Sequence, residues 1–414
     1  MADVLLVGAG PAGAACATAL RDEGFEGSIL LVGREPDPPY DRPPASKEYL
    51  RGEKGRDDCY LHPASFWEER GIDLRVRTSV MKLDLGRRVA RLSTGDEEPF
   101  GQALLATGAN VRRLRLDGGG FDGIHYLRAL GNADAIRADA RPGARAVIVG
   151  GSFIASEVAA SLTGLGVHCT MVMLEDAPLS VPFGAQAGAF FAGVLRSHGV
   201  DLVTGDGVER FEGDEGAGDE PGRVRRVVTS SGRTLDADLV VVGAGVVPDV
   251  MLARSAGLEL GDSGGVACDS TLRTTADGIW AAGDICEYDS VLHGRRLRIE
   301  HWEVATAQGR HVARAMTGST DPYTEIPYFW SDLADWASLE YVGPAAEWDA
   351  EIVRGAIDDG AFTILYLSRG RLAAALTVGR SGDLAGAKKL LADRTDLTRR
   401  ESQLADVDAD LATA

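Results

Sequence analysis

Residues 4–13 read V-L-L-V-G-A-G-P-A-G, and residues 146–157 read A-V-I-V-G-G-S-F-I-A-S-E. Each is an apolar run that ends in a glycine turn and opens onto a stretch rich in small residues. That is the pattern of a buried strand feeding a helix. The first copy keeps Gly8, Gly10 and Gly13 in full G-x-G-x-x-G spacing, around Pro11 and Ala12. In the second only Gly150 keeps its place, and Ser152 and Ala155 stand at the other two positions. The turn needs one glycine for its bend, a second where backbone approaches a pyrophosphate, and a third where helix meets strand. The helix N-terminus then faces the phosphates with its partial positive charge. Two such turns imply two dinucleotides on one chain, the outline of a flavin fed by a nicotinamide.

Outward from these turns the chain reads as an α/β protein. Residues 3–8, 11–23 and 28–33 give strand, helix and strand, and Glu35 follows at the spacing of a ribose-hydroxyl acceptor. The proline-rich stretch from Glu35 to Lys47 reads as a fixed, non-helical excursion. Residues 101–110 give a strand ending in a Thr-Gly turn. The pattern restarts with a strand over 145–150, a helix to about Gly164 and a strand over 167–174. Gly213–Gly222 reads as a solvent-exposed turn between hairpin strands, and 238–245 and 278–284 as two more buried strands with glycine turns. From Pro322 aromatic residues rise. The alternating runs 361–367 and 372–378 predict antiparallel strands before a charged helix, and the last dozen residues are expected to fray. The expected architecture is two Rossmann-like dinucleotide-binding domains plus a smaller α+β C-terminal domain. Residues 1–110 and 238–320 would form a discontinuous FAD-binding domain, 111–237 the NAD(P)H-binding domain and 321–414 the third.

Composition narrows the class. A chain of 414 residues can hold two or three cores, and 45% hydrophobic residues is ordinary for a soluble protein. No run approaches the roughly 20 apolar residues of a membrane span, and the N-terminus has no basic leader, so a cytoplasmic enzyme is expected. The five cysteines, Cys16, Cys59, Cys169, Cys268 and Cys286, are widely scattered. Buried reduced thiols are expected, and a dithiol relay is excluded. A net charge of −19 argues against nucleic acid. An acidic protein partner would need a locally basic dock.

Residues 274–284, T-T-A-D-G-I-W-A-A-G-D, end a strand in Gly283 and Asp284, a carboxylate beside a backbone turn suited to a flavin's ribityl chain. At this point the chain resembles the FAD-dependent ferredoxin reductase family, whose fold is shared with apoptosis-inducing-factor-like proteins. The matching strings are P-Y-D-R-P-P-A-S-K (39–47), L-L-A-T-G-A (104–109), Y-L-R-A-L (126–130), A-A-G-D (281–284), E-H-W-E-V-A-T-A-Q-G (300–309) and P-Y-F-W-S-D (327–332). They run nearly the whole chain in family order.

The resemblance implies FAD contacts from Arg42, Lys47, Val80, Ala106, Thr107, Gly108, Arg128, Asp284, Glu300, His301, Trp302 and Trp330, beside the first fingerprint and Glu35. Arg128 matches the pyrophosphate-side arginine. Trp302 and Trp330 match aromatics near the isoalloxazine. Lys47 can stabilise negative charge on a reduced flavin. Glu157 matches the family glutamate that pairs with that lysine, so Lys47, Glu157 and Trp302 are the expected catalytic residues. Gly150, Gly151, Ser152, Phe153, Ile154, Gly243, Ala244 and Gly245 would hold the nicotinamide nucleotide.

The second site departs from the family pattern. Ser152 would crowd the pyrophosphate or donate a hydrogen bond to it, whereas Ala155 is an accepted variant. Met173 stands where an acidic residue usually holds the adenosine ribose, with Glu175 and Asp176 close behind to substitute. No arginine is at hand for a 2′-phosphate, which favours NADH over NADPH. The implied activity is electron transfer from NADH through FAD to a small iron–sulfur ferredoxin that feeds an oxygenase. Arg295, Arg296, Arg298, Arg310 and Arg314 form the candidate dock. The alternative is a flavoprotein with weak nicotinamide use that acts as a redox switch or scaffold. Monomer and homodimer are both open.

Overall fold

The computed structural model describes residues 2–214, 216 and 222–413. The chain forms two compact units, one of Met1–Asp41, Tyr60–Asn110 and Val247–Phe329, the other of Arg42–Cys59, Val111–Val246 and Trp330–Ala414. Among the described residues no helix is long and apolar enough to cross a membrane.

The first unit is built on a parallel sheet. Ala2–Val7 lies between Ile29–Val32 and Glu97–Leu105; Ile72–Arg75 extends one edge and Ile279–Ala281 the other. Their runs V-L-L-V, I-L-L-V and I-W-A are apolar without alternation because both faces are covered, and Leu5, Leu6 and Leu31 are fully buried. Val80–Asp84 and Val89–Leu92 add an antiparallel flap along the first half of Glu97–Leu105. The helix Pro11–Asp22 starts on a proline, whose missing N–H costs nothing in a first turn. It packs against the helix Trp302–Met316. A Cβ on Gly309 would stand 2.1 Å from the Ala12 carbonyl oxygen, so glycine sets that closeness.

The second unit holds a second parallel sheet, ordered Asp201–Val203, His168–Val172, Arg145–Val149, Leu239–Val242, Ile124–His125. Here the expected boundary at 238 is corrected. Leu239–Val242 pairs with Ala146–Val149 and so belongs with the second fingerprint. Its apolar run and glycine turn look the same in either sheet, and only long-range pairing decides between them. The antiparallel strands Val208–Gly213, Val224–Thr229 and Thr234–Asp236 follow as a meander. Within the expected turn at Gly213–Gly222, residues 215 and 217–221 lie outside the described residues. The proline-rich stretch is not wholly non-helical: Pro43–Ser46 forms a 3₁₀ turn that runs into the helix Glu48–Arg51. Proline's fixed φ suits a first helical turn as well as an extended one.

The C-terminal strands form an antiparallel sheet in the order Tyr328–Leu333, Ala337–Val342, Arg371–Val378, Ala361–Ser368, Ala350–Ala356. It packs on the helix Ser180–Ser197, where the Tyr366 hydroxyl donates to the Phe183 carbonyl (2.8 Å) and Phe190 meets Phe362 edge-on. That helix breaks at Gly184, whose φ of 81° and approach to the Glu351 carboxylate leave no space for a side chain.

The end of the chain is ordered rather than frayed. Arg354, 3% exposed, pairs with Asp383 and donates to the carbonyls of Leu404, Asp406, Val407 and Ala409. Leu404 and Leu411 are the tail's own buried side chains. Polar composition hid this, because the anchors are backbone carbonyls held by one distant guanidinium. Replacing Arg354 with alanine strands those carbonyls and half of the Asp383 pairing. Urea unfolding should show a loss of about 3 kcal/mol, with early tryptic release of the tail by cleavage after Arg394, Arg399 or Arg400. Wild-type stability in this variant would refute the latch.

Candidate functional site

In the first unit, strand Ala2–Val7 delivers Gly8 into a bend with φ 116°, where a Cβ would lie 2.1 Å from the Ala106 carbonyl oxygen. Gly13 is constrained as tightly, its Cβ position being 1.9 Å from the Gly8 oxygen. Gly10 is different: it caps the helix with an extended backbone, and nothing lies within 4 Å of where its side chain would be. The first-turn N–H groups have no side-chain cap, so they point as donors into open space above Gly10. These features fit a dinucleotide pyrophosphate, the group that a Cβ at Gly10 would displace.

Glu35, past the end of the neighbouring strand, accepts a hydrogen bond from the Tyr40 hydroxyl (2.6 Å). The Thr107 hydroxyl donates to the Asp249 carbonyl (2.6 Å), which fixes the A-T-G turn that begins at Ala106 and closes on Gly108 at φ 70°. Val80 opens its strand and packs on the edge of the core.

Gly283 and Asp284 lie in a 3₁₀ turn after strand Ile279–Ala281. The Gly283 N–H donates to the Oε1 of Gln308, a fully buried side chain in the 300–309 string that no spacing rule marks as a partner for this turn. Arg298 donates to the Asp284 carbonyl and pairs with Glu300, and its Nε donates to the Ser263 hydroxyl. It therefore braces the turn and is not a free docking charge. His301 precedes the helix Trp302–Met316 and lies against Phe329 at 4.1 Å. Burial pushes its imidazole down to about 4, so it is neutral at physiological pH. His301 Nδ1 is buried with no hydrogen-bond partner among the described residues.

The second unit repeats the cradle. Gly150 bends at φ 113° against the Gly243 carbonyl, 2.5 Å from its Cβ position. Ser152 neither crowds nor reaches outward. Its hydroxyl donates to the Gly243 carbonyl (2.8 Å) and caps the helix Phe153–Gly164 by accepting from the Ala155 N–H. The Ala155 methyl lies 3.0 Å from the Gly243 Cβ position, so an alanine on the helix is matched by a glycine on the strand. A Cβ at Gly151 would meet Met173 Sδ and a Glu175 carboxylate oxygen at 3.2 Å each, so Glu175 reaches the turn although Met173 holds the expected position. Phe153 packs edge-on to Phe183, whereas Ile154 is 38% exposed. Ala244 packs on the sheet's core, and the Gly245 carbonyl receives the Arg112 N–H.

Within the same unit three segments meet at Glu157. Its carboxylate, buried in the second helical turn, receives Lys47 Nζ at 2.7 Å, the Ser331 hydroxyl at 2.6 Å and the Ser46 hydroxyl at 2.5 Å. Lys47 is equally buried. The pair expected from sequence is therefore formed away from water, and Ser46 and Ser331 are additions. Both neighbour a noted residue, Lys47 or Trp330, but no spacing rule marks a hydroxyl for a distant carboxylate. Arg42 donates to the Arg128 carbonyl (2.8 Å), bringing those two expected FAD contacts together, and Trp330 is half-buried on strand Tyr328–Leu333.

Of the five candidate docking arginines, Arg296 pairs with Asp289 and Arg298 is committed as above. Arg295 ends the hairpin strand Arg295–Arg298, opposite Ser290. Arg310 and Arg314 are exposed on helix Trp302–Met316 and form no ion pair among the described residues. All five cysteines are free and buried. Burial raises the thiols of Cys16, Cys286 and Cys169, the last to about 11, so these three are not ready thiolates.

Comparison with known proteins agrees with this geometry. Residues 2–309 match the pyridine nucleotide-disulphide oxidoreductase family, and 328–414 match the reductase C-terminal family. Rhodocoxin reductase of Rhodococcus erythropolis is 34% identical over 411 residues, 99% of this chain and 94% of that protein. A crystal structure of a ferredoxin reductase from Rhodopseudomonas palustris superposes with a TM-score of 0.92 at 32% identity, covering 99% of this chain and 98% of that one. The reductase in a covalent putidaredoxin reductase–putidaredoxin complex superposes with a TM-score of 0.90 at 32% identity, over 95% of this chain and 94% of that chain. The chain belongs to the pyridine nucleotide-disulphide oxidoreductase family, which implies FAD and a nicotinamide nucleotide, and carries a reductase C-terminal domain.

Proposed function

We propose that this chain is an NADH-dependent FAD reductase that delivers electrons to a small iron–sulfur ferredoxin, which in turn feeds an oxygenase. The observation that carries this reading is the buried Lys47–Glu157 ion pair on the helix of the second nucleotide turn. It occurs in a chain that matches named ferredoxin reductases over 94–99% of its length. FAD, when bound, would supply the redox chemistry that links a two-electron donor to a one-electron acceptor.

The chain's own residues bind, orient and tune. Gly8, Gly10 and Gly13 with Pro11 and Ala12 would take the FAD pyrophosphate, Glu35 the adenosine ribose and Asp284 the ribityl chain. Glu300 to Trp302 and Trp330 would border the ring. Gly150 to Ile154 and Gly243 to Gly245 would hold NADH, with Glu175 accepting from its ribose hydroxyls. Lys47, oriented by Glu157, would face negative charge on the reduced ring. The three-domain partition is part of the same proposal, with the Arg42–Cys59 excursion and residues 238–246 grouped with the second domain.

Glu175 at the turn supports NADH over NADPH, since a 2′-phosphate would meet a like charge there. The reading of the chain as a redox switch or scaffold drew on the altered fingerprint. A turn that Ser152 caps and Ala155 fits favours a working nicotinamide site instead. Arg310 and Arg314, exposed and without an ion pair among the described residues, are the charges we assign to the ferredoxin dock.

Anaerobic stopped-flow mixing should bleach the flavin with NADH, with a dissociation constant for NADPH at least about tenfold weaker. Failure of both nucleotides to reduce it would end the reductase reading. Gly10→Val, allowed by its backbone but filling the open cradle, should give a protein of wild-type circular dichroism purified without bound FAD. Retention of stoichiometric FAD would displace the pyrophosphate from that turn. Arg310→Glu should slow reduction of an acidic [2Fe–2S] ferredoxin about tenfold at low salt and flatten its ionic-strength dependence. An unchanged salt profile would remove Arg310 from the dock.

A further inference from the structure

We infer that Ser331 and Ser46 are positioning residues of the reductive step, holding Glu157 so that it in turn aims Lys47. The inference rests on the proposed role of the Lys47–Glu157 pair and extends it to two hydroxyls that no sequence signal assigns.

Strand Tyr328–Leu333 alternates with period two: Phe329, Ser331 and Leu333 are buried, and Tyr328, Trp330 and Asp332 are half-buried on the other face. Ser331 is thus a single polar residue on an otherwise apolar inner face. A buried hydroxyl needs a partner, and its partner is Glu157 Oε1 at 2.6 Å. On the opposite side Ser46 bonds Glu157 Oε2, and Ser46 is itself held because its carbonyl accepts from the Ser161 hydroxyl (2.7 Å) on the Glu157 helix. Each carboxylate oxygen therefore has a serine donor, and Oε1 shares its capacity with Lys47 Nζ.

Two consequences follow from this geometry. With both oxygens anchored, the carboxylate plane cannot rotate, so the direction in which it holds the Lys47 ammonium is fixed. Ser331 also locks the register of its strand, because a slip of one residue would exchange Ser331 for Trp330 on the inner face. The C-terminal strand therefore bears on the proposed chemistry through Glu157. A hydroxyl that acts only through another group should change the rate of the step that group serves and leave nucleotide affinity alone.

The test is anaerobic reduction of the holoenzyme's flavin across a range of NADH concentrations, with FAD content and melting temperature recorded for each variant. Ser331→Ala and Ser46→Ala should each lower the limiting rate about tenfold, the scale of one hydrogen bond to a charged group. The NADH dissociation constant should stay within about twofold. Ser331→Thr, which restores the hydroxyl, should recover most of the rate. Limiting rates within about twofold of wild type in both alanine variants overturn the inference, and so does a loss that appears wholly in NADH affinity. Lys47→Met separates the premise from the inference. If it leaves the limiting rate unchanged, the role given to the ion pair fails. If it slows reduction while the serine variants do not, the pair stands and the serines are structural.

Discussion

A carboxylate cannot be buried alone. Taking Glu157 out of water is tolerable only with an opposite charge and donors for its remaining lone pairs. The chain meets that demand from three distant places: the proline-rich turn supplies Ser46 and Lys47, the second fingerprint helix carries Glu157, and the first C-terminal strand brings Ser331. None of these segments can move without uncovering a charge. The constraint thus orders the Arg42–Cys59 excursion, the nucleotide helix and the C-terminal strand as parts of one compact unit.

The two glycine turns show one geometry reached by two chemistries. In the first, the helix comes so close that position 13 must be glycine, and the strand end opposite can carry the methyl of Ala106. In the second, the methyl sits on the helix as Ala155 and the strand end is Gly243. The open position is likewise treated differently. Gly10 leaves the first-turn donors uncovered, whereas Ser152 uses one oxygen to cap its own helix and to tie it to the neighbouring strand. What looks like damage in the motif is a local exchange of a glycine's freedom for a serine's capping bonds.

Glu175 and the chain's tail show where linear reading stops. Counting along strand His168–Val172 puts Met173 at the ribose position, but the turn after it carries the Glu175 carboxylate back to Gly151. Loop reach is not written in strand periodicity. The polar tail reads as free because no apolar stripe marks it, yet Arg354 gathers its carbonyls from about fifty residues away. Arg298 misleads in the same way: it sits in a basic run, and its partners, the Asp284 carbonyl, Glu300 and the Ser263 hydroxyl, are invisible as a pattern.

By itself the sequence determined what local stereochemistry and spacing dictate. It specified strands that are apolar on both faces, turns that only glycine can make, the order of two nucleotide cradles and the family strings, and the resemblance those strings carry implied the pairing partner of Lys47. Tertiary structure alone decided which sheet receives Leu239–Val242, which serines complete Glu157, which arginines are already spent on their own chain and how the tail is held. The reason is physical. A glycine's φ and a strand's burial are properties of a few adjacent residues, whereas a hydrogen bond to a buried charge or carbonyl joins residues that only the folded chain brings within 3 Å of each other.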